Sequence, residues 1–65
     1  MNKYQKLLIE FTNGNTPYIG LLYRRHTKEL VDEAIQLNYI AECGKNTYGE
    51  PIYTITPLGK SIRDN

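Results

Sequence analysis

The sequence predicts a small α+β domain, on three observations. Apolar residues recur at helical spacing up to residue 38, the period then changes to two, and a Thr-Pro capping signal opens a last short helix. Sixty-five residues make one domain, 1–65, with 40% apolar residues and a formal net charge of +1. That charge excludes a polybasic coat or an acidic tail, and the apolar content excludes a disordered chain.

Taken in order, Asn2 to Asn13 is expected to be a helix. Tyr4, Leu7, Leu8 and Phe11 stand at i, i+3, i+4 and i+7, with Lys3, Lys6 and Glu10 largely off that face. Asn2 caps its start and Gly14 supplies the left-handed residue after its end. Thr16 and Pro17 read as a cap and a first helical residue. Tyr18–Tyr23 fits either a strand or a helix of at most two turns, and the helix is preferred. Thr27–Asn38 is a helix capped by Thr27, with Leu30, Val31, Ala34, Ile35 and Leu37 inward. Glu29, Asp32, Glu33 and Gln36 make its acidic outer face.

Tyr39–Cys43 and Pro51–Ile55 are strands joined by the polar loop Gly44–Glu50. Thr56 caps a terminal helix with Pro57 first and Leu58 and Ile62 inward, and Gly59 marks close packing against another element. The expected core is Leu7, Leu8, Phe11, Leu30, Ala34, Ile35, Ile40, Tyr53, Ile55, Leu58 and Ile62.

This order of elements is that of a winged helix-turn-helix: three helices, a two-stranded wing hairpin and a short C-terminal helix. The stretch LNYIAECGKNTYGEPIYTITPLGKSI, residues 37–62, resembles MarR- and PadR-type regulators. There a helix ends in a Gly-Tyr-Ile-like turn, the wing follows, and the chain closes on Tyr-x-Leu-Thr-x-x-Gly-Lys/Arg. Here the closing pattern is Tyr53-Thr54-Ile55-Thr56-Pro57-Leu58-Gly59-Lys60, with Ile at position 55. Asn38 replaces the usual Gly, which left-handed geometry tolerates. The long flanking helices that build MarR and PadR dimers have no counterpart, so the nearer likeness is to minimal winged-helix proteins of bacteria and phages.

The resemblance implies double-stranded DNA as partner and transcriptional regulation as role. The densest basic cluster, Arg24, Arg25, His26, Thr27 and Lys28, precedes and opens the helix that would enter the major groove. Lys45, Asn46 and Thr47, with Tyr48, would lie on the wing. Lys3 and Lys6 are a third candidate backbone contact. Against this reading stands the acidic face of the 27–38 helix, which would repel phosphate. The alternative is a winged-helix protein-interaction module without DNA binding. A homodimer is also open, since six tyrosines supply candidate contact surface.

Catalysis is not expected. Asp32 and Glu33 are adjacent on an exposed face with no supporting groups in view, and no nucleophile accompanies His26. One cysteine and one histidine defeat a structural zinc site, and no cofactor is expected. The absence of a signal-peptide pattern and of a run near 20 apolar residues points to a cytoplasmic protein without a membrane span.

Overall fold

Tyr4, Leu7, Leu8 and Phe11 do turn one face inward, but the helix they make is shorter and tighter than their spacing implies. In the computed structural model, which describes residues 2–65, α1 (Gln5–Leu8) passes directly into a 3-10 segment, Ile9–Gly14. Asn2 does serve the start, its Oδ1 accepting from the Tyr4 amide at 2.9 Å. At the other end the Thr12 hydroxyl donates to the Ile9 carbonyl at 2.6 Å and the Thr12 backbone is extended. Such a local bond competes with the helical ladder. Asn13 (φ 63°) and Gly14 (φ 76°) then turn the chain through left-handed geometry, one residue earlier than expected.

The assignment of Thr16 as a cap and Pro17 as a first helical residue is corrected. That stretch lies outside any helix, and Asn15 and Tyr18 on either side of it are extended. The Tyr53 amide donates to the Pro17 carbonyl at 3.0 Å, and Tyr18 forms an antiparallel bridge with Ile52. Pro17 lacks the N–H a central strand needs, but its carbonyl serves an edge contact. Tyr18 is therefore the extended residue before α2 (Ile19–Arg25), and 18–23 is a helix as preferred.

After the break at His26 and Thr27 comes α3 (Lys28–Gln36), with the Thr27 hydroxyl accepting from the Leu30 amide at 3.2 Å. Its C-terminus closes on Asn38 (φ 65°): the Asn38 amide donates to the Ile35 carbonyl and the Tyr39 amide to Ala34. This paired closure is usually built on glycine.

The antiparallel hairpin consists of β1 (Ile40–Lys45) and β2 (Pro51–Ile55), with Ile40 opposite Ile55 and Lys45 opposite Pro51. A register shift between Glu42 and Gly44 makes Cys43 the extra residue of a bulge. The first strand therefore runs two residues further than expected, and the loop shrinks to Asn46–Glu50. Finally α4 (Pro57–Asp64) starts on Thr56, whose hydroxyl oxygen accepts from the Gly59 amide at 3.0 Å. α4 is tied to α1 by Gln5, whose side-chain amide donates to the Arg63 and Asn65 carbonyls.

Leu7, Leu8, Phe11, Leu22, Val31, Ala34 and Ile40 form the buried core. Leu30, Ile35, Tyr53, Ile55 and Ile62 pack around it, half-buried. Two inward assignments fail: Leu37 is 45% exposed and Leu58 is 48% exposed. Both sit where a helix meets a turn, and period alone overextends the apolar stripe there. No helix among the described residues is long and apolar enough to cross a membrane.

Candidate nucleic-acid interface

α2 ends on Arg24 and Arg25, which suit the negative end of its dipole. His26 is extended (φ −135°, ψ 165°) while its amide still donates to the Leu22 carbonyl at 2.9 Å. Thr27 is extended too and spends its hydroxyl on the α3 cap. The α2–α3 corner is thus a two-residue break with a defined exit direction.

Its basic residues do not form a single free cluster. Arg25 Nη1 donates to Glu10 Oε1 at 3.1 Å, and the imidazole Nε2 of His26 bonds to Glu10 Oε2. The His26 side chain is only 9% exposed, so it faces the 3-10 segment rather than solvent. Lys28 Nζ pairs with Asp32 Oδ2 at 2.7 Å and lies 5.5 Å from the Tyr23 ring centroid. Arg24 differs. Its Nη2 donates to the Tyr18 hydroxyl at 2.7 Å, and among the described residues it pairs with no carboxylate.

On the hairpin, Lys45 and Thr47 are exposed. Asn46 has a structural task instead. Its Oδ1 accepts from the Tyr48 and Glu50 amides at 3.0 and 2.9 Å, while its Nδ2 donates to Glu50 Oε1 at 3.1 Å. This clamps the tip and presents Tyr48, 87% exposed, beside Thr47. Lys3, counted with Lys6 as a further backbone contact, is bound to Glu33 at 2.9 Å.

The acidic outer face of α3 is largely occupied by partners, contrary to its reading as two carboxylates without supporting groups. The Tyr4 hydroxyl donates to Glu33 Oε1 at 2.6 Å alongside Lys3. The Tyr23 hydroxyl donates to Asp32 Oδ1 at 2.8 Å alongside Lys28. The ammonium of Lys28, then the Tyr23 hydroxyl, hold Asp32 below the ordinary aspartate range; Lys3, then Tyr4, do the same for Glu33. The hydrogen bond to each carboxylate in turn raises Tyr4 and Tyr23 above the usual phenol range. Glu29, by contrast, forms no ion pair among the described residues.

Two groups of predicted site residues result, one at the α2–α3 corner and one at the hairpin tip. Tyr18 connects their supports. It bridges to Ile52, and its ring packs so close to Gly20 that a Cβ there would meet it at 3.0 Å. It also holds Arg24 through its hydroxyl. Sequence reasoning placed Tyr48 at the tip but missed Tyr18 and Glu10. Glu10 was hidden because its partners lie 15 and 16 positions away, beyond any local pattern.

No group of three or more metal-ligating side chains occurs among the described residues, and Cys43 is free and exposed. Comparison with protein-family models, curated proteins and solved structures finds no match.

Proposed function

We propose that this chain is a winged-helix protein that binds double-stranded DNA and regulates transcription by occupying its site. In this reading α3 docks in the major groove, Arg24 takes a phosphate or a guanine edge, and Lys45 with Thr47 meets the backbone beside it. The observation that carries the reading is the docking of the hairpin on the segment entering α2. The Tyr18–Ile52 bridge and the Tyr53-to-Pro17 hydrogen bond make hairpin and helix pair one frame. A frame of that kind fixes the backbone of the corner and of the tip in advance, so that binding has to order only the side chains of Arg24 and Lys45.

The pairing of Asp32 and Glu33 supports the same reading. Two of the three acidic groups that would repel phosphate have neighbouring cations, so the outer face of α3 is less negative than its composition.

A second reading has its own observation. Ile9, Leu37, Tyr48 and Leu58 are large, apolar or aromatic, and exposed. With Arg25, His26 and Lys28 engaged within the chain, little free charge is left at the corner, which favours a winged-helix protein-interaction module.

Fluorescence anisotropy of a labelled mixed-sequence duplex, at about 50 and 200 mM salt, tests the first reading. Binding that weakens steeply with salt and is lost in the Arg24→Ala/Lys45→Ala variant is the expected result. A duplex that shows no salt-dependent binding at either condition overturns it and favours the protein partner. Sedimentation in the same buffers reports whether a homodimer forms.

A further inference from the structure

We infer that Glu10 is an internal stand-in for a DNA phosphate, holding Arg25 as a latent contact and so setting how much charge the α2–α3 corner offers. The inference rests on the DNA-binding reading above.

The geometry separates the two partners of this carboxylate. The His26 side chain is 9% exposed and that of Glu10 18%, whereas that of Arg25 is 61% exposed. His26 and Glu10 therefore form the inner part of the network, and Arg25 is its outer, movable member. Arg25 makes a single contact with Glu10, through Nη1 to Oε1 at 3.1 Å, rather than a bidentate fork. Glu10 itself is largely shielded and is also held by His26, so its charge stays beside the Arg25 guanidinium and a phosphate must displace it to engage that arginine.

Arg24 sets the contrast. It is the adjacent residue at the same helix end, yet its guanidinium donates to a neutral phenol rather than a carboxylate. Two neighbouring arginines are thus in different electrostatic states, one available and one compensated. Removing the compensation does not strip the inner histidine of its partner if the replacement is Gln, which retains an oxygen acceptor and adds an N–H donor. The contact adds no base specificity. It controls the number of phosphates engaged, and with it the salt dependence.

The test is a cycle on full-length protein with the same labelled duplex, comparing wild type, Glu10→Gln, Arg25→Ala and the double variant. Glu42→Gln, on β1, is the control for net charge. In the wild type, Arg25→Ala is expected to change affinity less than about twofold. Glu10→Gln is expected to tighten binding and steepen the log–log salt slope by about 0.9, one phosphate's share. Arg25→Ala in the Glu10→Gln background then removes that gain.

An equal gain from Glu42→Gln overturns the inference, because net charge alone would explain it. So does an Arg25→Ala effect as large in the wild type as in the Glu10→Gln background. Should Glu10→Gln lose its helical circular dichroism, the wild-type arm decides: Arg25→Ala weakening binding as much as Arg24→Ala rules out a held-back arginine. Wild-type binding that Arg24→Ala/Lys45→Ala abolishes but Glu10→Gln leaves unchanged defeats this inference alone. No binding by wild type and Glu10→Gln alike defeats it together with the DNA reading.

Discussion

Gly59 on α4 lies against the main chain of Tyr39, in the turn between α3 and β1. A side-chain carbon at position 59 would run into the Tyr39 carbonyl oxygen, with the Tyr39 carbonyl carbon 2.9 Å and Ile55 Cγ1 2.8 Å away. The same carbonyl accepts from the Thr56 amide at 3.0 Å, so it has no freedom to retreat. Gly59→Ala is therefore expected to destabilise by about 3 kcal/mol, the upper end of overpacking. A urea titration reads this as a fall in the midpoint at unchanged slope, and a change under 1 kcal/mol would show that α4 can shift.

Leu22 and Leu58 test the core from opposite sides. Leu22 is fully buried and Leu58 is 48% exposed. Leu22→Ala is expected to cost about 2–5 kcal/mol and Leu58→Ala under about 0.5 kcal/mol. Thermal unfolding of the two variants side by side checks the ranking; reversal would place α4 with its other face inward.

The two tyrosine–carboxylate–lysine groups on α3 predict the pH response. Asp32 and Glu33 are held below their ordinary range, so their contribution is present above about pH 4 and is lost as pH falls through the lower folded values. Tyr4 and Tyr23 are raised, so theirs is present below about pH 10 and is lost as pH climbs through the higher folded values. Both limbs should be shallow, because the two carboxylates are nearly half exposed and solvent screens each pair. Tyr4→Phe/Tyr23→Phe should remove the alkaline limb of these hydroxyls and only partly flatten the acid limb, which Lys28 and Lys3 mainly set, in unfolding curves taken from pH 2 to 11. An unchanged profile would mean that the hydroxyls are not bonded in solution.

Asn46 organises the hairpin tip through three side-chain hydrogen bonds. Asn46→Ala should cost about 1–2 kcal/mol, less than three bonds at roughly 1 kcal/mol net each, because the amides freed at the exposed tip can bond to water. Faster amide exchange at Tyr48 and Glu50 is the local signature. Lys45→Ala should leave stability within about 0.5 kcal/mol.

Much of the fold was legible because its signals are local. The Thr27 and Thr56 caps, the left-handed Asn38 and the strand Pro51–Ile55 each follow from one or two residues and their backbone preferences. Gly59 was legible as a packing glycine, though not which backbone it would meet. The segment before α2 was not legible. Thr16-Pro17 is a helix-start signal in isolation, and only the distant amide of Tyr53 makes an extended conformation the better use of the Pro17 carbonyl. Leu22 was lost with the same ambiguity.

The candidate site could be read from the sequence as a list of residues but not as a distribution of charge. Arg24, Arg25, His26 and Lys28 look alike on the page, one short basic run. Their surroundings differ: a phenol for Arg24, Glu10 for Arg25 and His26, and Asp32 for Lys28. The sequence by itself determined the α+β order, the caps of α3 and α4 and most of the core, because hydrophobic period and backbone preference act over a few residues. Which cations remain free was decided only by the tertiary structure. Charges interact through space, and folding brings Glu10 to residues 25 and 26 regardless of their separation along the chain.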